Sequence, residues 1–181
     1  MSRVATFAEL LGYSRSVDSA RVMAEASRSR VGKNVFLAHS SRDAEYLPGV
    51  ISILESNGGL VYVDKDDKRL PNSPNRETAE ILRSTIQSCR RFVVFVTTNS
   101  KNSRWVPWEL GLADGEKGFG GIALFPASHS ERDYEWSEVE YLGLYKRIVW
   151  GRIRGSMQEG WIVLDHQANT ALTLRNWIRG D

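Results

Sequence analysis

Four short runs of almost purely apolar residues, each followed by a polar turn, leave this chain few folds to choose from. They are NVFLAHS at 34–40, LVYVD at 60–64, RFVVFVT at 91–97 and GGIALFPA at 120–127. Strands apolar on both faces belong in a sheet covered on both sides, whereas a half-exposed strand alternates apolar and polar residues. Between the runs, apolar residues repeat at helical spacing: Leu47, Val50, Ile51 and Leu54 in one segment, and Ala79, Ile81, Leu82 and Ile86 in the next. A third helix is expected to start between Ser103 and Val106 and to end near Gly118, because Pro107 is tolerated only in a first turn. Strands and helices in this alternation dictate an α/β fold with a parallel sheet and helices on both faces.

The ends of the chain are less regular. Residues 1–33 are rich in Arg and Ser and carry only a weak helical stripe, Val17, Ala20, Met23 and Ala24, so they read as an N-terminal extension that is weakly helical or mobile. Residues 34–181 read as one domain with an irregular C-terminal third. There, YLGLYKRIVWGRIRG and GWIVLDH supply either a fifth parallel strand or a hairpin, and a last helix is expected from about Asn169 to Ile178.

Bulk composition narrows the function classes. With 181 residues, 41% hydrophobic and 25% charged, the chain can bury a real core. Its 24 basic and 22 acidic residues give a net charge of +2, so no strong field for polyanions is implied. The interleaved KRIVWGRIR resembles a nucleic-acid strip, but an edge strand guarded by arginines has the same letters, and nucleic acid is not expected as a partner. Cys89 is the single cysteine, so no intramolecular disulfide forms, and a structural thiol is expected. No apolar run approaches the roughly 20 residues that span a bilayer, and no signal-peptide pattern is present, so a cytoplasmic protein without membrane association is expected. His39, His129 and His166 show no metal-ligand spacing with one another or with Cys89, so no metal site is expected.

In an open parallel sheet, ligands bind outside the carboxyl ends of the strands. The three most polar strand exits here begin at His39, Asp64 and Thr98. The third leads into SRWVPWELG, where Trp105 and Glu109 stand four apart and share one face of a helix. An indole beside a fixed carboxylate suits a cationic, ring-bearing ligand. A tryptophan anchoring an amphipathic helix would leave the same letters, and so would a carboxylate favoured by the helix dipole. Trp108 is assigned to packing.

Taken in order, NVFLAHSSRD, VYVDKDDKRLPN and FVVFVTTNSKNSRWVPWELG resemble a Toll/interleukin-1 receptor (TIR) domain of the bacterial type, with the Trp-x-x-x-Glu motif as Trp105 to Glu109. The resemblance covers about residues 34–126 and implies a flavodoxin-like open sheet of about five parallel strands. It further implies cleavage of NAD+ between nicotinamide and ribose, with Glu109 as catalytic residue and Trp105, Ser40, Ser41, Asp64 and Leu70 as substrate-binding residues. NAD+ would be substrate, with no cofactor. Stand-alone TIR proteins of antiphage systems such as Thoeris are similar; for them the product, ADP-ribose or a cyclic isomer, is an immune signal to a separate effector protein, and self-assembly or homo-oligomerisation accompanies activation. Two departures are visible: KRLPNS keeps Leu70-Pro71 without the Pro-Gly of many animal receptors, and His39 stands where many members carry an aromatic residue. Two other functions fit the same pattern, a non-enzymatic TIR interaction module and a nucleoside deoxyribosyltransferase-like enzyme.

Overall fold

A computed structural model describes residues 2–28, 31–64, 75–103, 105–130 and 140–181. In chain order, a two-residue strand, Ala5–Thr6 (β1), runs into helices Phe7–Ser16 (α1) and Ser19–Arg28 (α2). The apolar runs then form Val35–Ala38 (β2), Val61–Tyr62 (β3), Arg91–Val96 (β4) and Ile122–Ser128 (β5). Between them lie Leu47–Ser56 (α3), Arg76–Ser88 (α4) and Trp105–Gly121 (α5). Gly118 breaks the regular turn of α5 at φ 58°, where the helix was expected to end. Strands Lys146–Arg152 (β6), Glu159–Asp165 (β7) and Thr170–Thr173 (β8) lead to a short helix, Leu174–Arg179 (α6).

The sheet order is β3-β2-β4-β5-β6-β7-β8, with β1 paired to β5 off this path. From β3 to β6 all pairings are parallel. This is the flavodoxin-like core, and the expected five parallel strands are those from β2 to β6. The described sheet is larger, with eight strands. Both readings of the C-terminal third hold together: β6 is the fifth parallel strand, and it also makes an antiparallel hairpin with β7. The expected helix from Asn169 is corrected. Thr170–Thr173 is a strand antiparallel to β7, because Asp165 Oδ1 accepts from the amides of Gln167 and Ala168 and folds the chain back on itself. The helix begins only at Leu174, capped by Thr173.

Alternate residues of each strand feed two cores. On one face Val35, Leu37, Val93, Phe95 and Phe125 meet Val50, Ile51 and Leu54 of α3. On the other Phe36, Phe92, Val94 and Leu124 meet Leu82 and Ile86 of α4 and Val106 and Leu110 of α5. Fully burying side chains of this size contributes about 1.5–3 kcal/mol each.

The N-terminal segment supplies part of these cores. Leu10 and Ala26 are fully buried, and Gly49 lies so close to α1 that an added Cβ would stand 2.3 Å from the Leu10 carbonyl oxygen. The start of α1 is fixed by a reciprocal cap between Thr6 and Glu9, and Arg3 grips both Glu9 oxygens at 2.8 and 2.6 Å. Ala5 and Thr6 pair with Ala127 and Ser128 of β5, while Arg3 and Trp150 of β6 exchange two backbone hydrogen bonds. The segment thus wedges between β5 and β6 where they part. Among the described residues, no helix is long and apolar enough to cross a membrane.

Candidate active site

The chain leaves β2 towards α3 on one face of the sheet and leaves β4 towards α5 on the other. Between the carboxyl ends of these neighbouring strands lies the topological switch point, where an open α/β sheet forms its crevice. A single buried carboxylate ties the two exits together. Asp43, 0% exposed, accepts from the Thr97 hydroxyl at 2.7 Å and from the Asn99 side-chain amide at 2.6 Å. Thr97 and Ser100 then close the β4 exit: Thr97 N donates to Ser100 Oγ, and Ser100 Oγ donates to Thr97 O.

From this exit Ser103 caps α5, its hydroxyl accepting from the amides of Trp105 and Val106. That cap sets the phase of the helix and turns Glu109 inward. Its side chain is buried, with 2% of the residue exposed, and Oε1 has no hydrogen-bond partner among the described residues. Burial, and after it the negative charge of Asp64, push the Glu109 carboxyl well above its ordinary value of 4.5. A buried carboxyl without a donor costs free energy, and such groups gather where chemistry needs them.

Asp64 follows β3 with its side chain 32% exposed, and its Oδ1 stands 3.6 Å from Nδ1 of the buried His39. The same imidazole nitrogen is 3.4 Å from the Leu37 carbonyl. Ser40 is buried and its hydroxyl accepts from Arg42 N, whereas Ser41 is exposed at the start of the 3-10 turn Ser41–Asp43. Trp105 is half-buried against the core beneath α5. Its ring meets that of Trp108 edge-on at 5.4 Å. Trp108, assigned to packing, covers the Trp105 ring while 36% of it stays exposed. Leu70 and the rest of the loop after β3, residues 65–74, lie outside the described residues.

The structure therefore sets His39 against Asp64, with Ser40 and Ser41 on the adjoining turn, and the negative charge of Asp64 adds to the upward push that burial gives the Glu109 carboxyl. Asp43 and Thr97 were missed as site-building residues. Asp43 has the letters of a helix cap, and nothing local to either loop says that its partners lie more than 50 residues away. No group of three or more His, Cys, Asp or Glu residues able to hold a metal ion occurs among the described residues.

Comparison with known proteins identifies the family of the fold. A model of the TIR domain matches residues 35–160. Over 148 residues the chain is 38% identical to a Bacillus cereus (strain MSX-D12) protein named probable 3' cyclic ADP-D-ribose synthase ThsB', covering 81% of this chain and 75% of that one.

Proposed function

We propose, from the premise that this chain belongs to the TIR-domain family, that it cleaves the nicotinamide–ribose bond of NAD+ and closes the remainder into a cyclic ADP-ribose isomer. The observation that carries this reading is Glu109, a buried carboxyl with an unpartnered oxygen at the switch-point rim. The product named for the Bacillus relative supports the cyclic outcome.

The chemistry asks little of the protein. Nicotinamide in NAD+ is a cationic leaving group: when its bond to the anomeric carbon breaks, the electron pair stays on the ring nitrogen and the ring departs neutral. No general acid is required, unlike a glycosidase with its pair of carboxyls. Glu109, once ionised, holds the ribose hydroxyls and stabilises the oxocarbenium charge left behind, an electrostatic contribution that is largest where water is excluded. A hydroxyl of the same molecule captures the cation and loses a proton to give the cyclic product; water in its place gives ADP-ribose. Trp105 offers a π-face to a ring of the substrate. Ser40, Ser41 and Asp64 line the approach, and Leu70 is assigned to substrate binding by the family resemblance. In the same reading the product is a signal of antiviral defence sensed by a separate effector protein, activation accompanies self-assembly, and the protein works in the cytoplasm with no cofactor.

The test is direct. Purified protein, alone and with lysate of phage-infected cells as trigger, is incubated with NAD+ and the products are separated by chromatography. Nicotinamide and a cyclic isomer are expected from wild type and neither from Glu109→Ala. Absence of nicotinamide release under every activating condition, or undiminished release by the variant, overturns the reading. Base exchange on deoxynucleosides would point instead to a deoxyribosyltransferase-like enzyme.

A further inference from the structure

Three rings from three separate segments gather on the side of the rim away from α5. Phe7 opens α1, Tyr46 directly precedes α3 and His129 directly follows β5. The Phe7 ring stands 4.6 Å from that of Tyr46, tilted by 31°, and 4.9 Å from the His129 imidazole, edge-on at 70°. Parallel pairing of Ala5 with Ala127 and of Thr6 with Ser128 brings Phe7 and His129 off their strands together, at the carboxyl end. Tyr46 reaches the same end because α3 starts there, and its amide donates to the Asp43 carbonyl at 3.0 Å. Asp43 in turn holds Thr97 and Asn99 at the β4 exit. An unbroken run of contacts thus joins the rings to the switch point. The β5 exit is the next one along from that of β4, about 4.8 Å further.

Packing explains only part of this cluster. Phe7 and Tyr46 rest on the core beneath α3, yet each stays half-buried, and His129 is exposed. Rings fixed against one another with their outer parts in water form a step on which another flat ring can stack. The step lies on the α3 face of the sheet, whereas Glu109 belongs to α5 on the other face. A ligand that touches both must cross the strand ends. A single nucleotide seated on Glu109 ends short of that crossing, and two nucleotides joined by a pyrophosphate span it. The turn between them exposes Ser41 and Arg42, a hydroxyl and a guanidinium suited to pyrophosphate oxygens.

We propose that Tyr46, Phe7 and His129 form a purine subsite, stacking the adenine of NAD+ while the nicotinamide-bearing ribose meets Glu109. This rests on the reading of the site given above and extends it to the half of the substrate that does not react. Every purine offers an uncharged π-face to such a step, and stacking there needs no further charge from the protein. Binding energy taken up at the adenine holds the reacting ribose in place. The N-terminal segment, through Phe7, then contributes directly to substrate recognition.

Full-length protein is mixed with AMP and examined by saturation-transfer NMR observed on the ligand. In wild type the adenine protons should receive more saturation than the ribose protons. Tyr46→Leu, which keeps bulk but loses the ring, and His129→Ala, at an exposed position, should each weaken AMP binding about tenfold, as expected for losing part of one stacked base. Glu109→Gln should bind AMP as wild type does. No saturation of the adenine, equal binding by wild type and both ring variants, or loss of binding in Trp105→Leu with the ring variants unaffected, overturns the proposal. AMP binding needs no turnover, so a protein inactive on NAD+ sinks the enzymatic reading while the subsite is still decided. In active protein, nicotinamide release is compared for NAD+ and for nicotinamide mononucleotide, which lacks the adenylate. His129→Ala should lower the preference for NAD+ about tenfold, through KM; an equal fall in kcat on both substrates marks a merely structural role and overturns the proposal.

Discussion

Glu109 is a residue whose burial works against the protein's stability. Its proton affinity is raised in the folded state by burial and by Asp64. Above pH 4.5 and below its folded midpoint, the native protein therefore holds a proton that the unfolded chain has released, and stability falls as pH rises through that window. Glu109→Gln removes the slope: urea unfolding from pH 5 to pH 8 should show the variant gaining on wild type as pH rises, even though it has lost activity. Asp43 works the other way. Its two oxygens satisfy two donors at the switch point, and removing a buried acceptor leaves those donors unpaired. Asp43→Ala should cost about 3 kcal/mol in chemical denaturation and lower turnover by loosening both loops. Equal stability in wild type and variant would show that the tie is dispensable.

At the level of elements, the contact between α1 and α3 depends on one missing side chain. In an open helix, Gly49→Ala would gain about 1 kcal/mol of helix propensity. Here the new methyl would meet the Leu10 carbonyl, and overpacking of that kind costs about 1–3 kcal/mol. The net should be destabilising and visible as a lower thermal midpoint. The elements legible in the sequence are those whose own letters carry the pattern. Val35, Phe36 and Leu37, or Phe92 to Val96, could only be strands buried on both faces, and the exit of each led to the rim where Glu109 stands. Two elements were not legible. Ala5 and Thr6 are too short a run to carry any period, and their pairing is with Ala127 and Ser128, far along the chain. Thr170–Thr173 is strand because of the turn at Asp165 and its pairing to β7, a long-range choice that overrides weak local preference. The site divided in the same way. Trp105 and Glu109 announce themselves by spacing along one helix, whereas the contact of His39 with Asp64 and the tie from Asp43 to Thr97 exist only once separate strands lie side by side.

For the molecule as a whole, the N-terminal segment is a structural part of the domain that carries the site. Val4, Ala5 and Leu10 are buried in the two cores, and losing the two larger ones alone forfeits roughly 5 kcal/mol of apolar burial. That is comparable with the entire stability of an ordinary domain. A variant lacking residues 1–16 should therefore show no cooperative unfolding transition by circular dichroism; a variant that still melts sharply would make the segment an accessory. The wedge at Arg3 also has a temporal side. Residues made long before β5 and β6 find their partners only at Ala127, Ser128 and Trp150, so the sheet cannot close until both of those strands have been made. Loop closure over such a span slows the last folding step. Until Trp150 emerges, the flank of β5 remains an open edge, and the nascent protein depends on whatever shields that edge during synthesis.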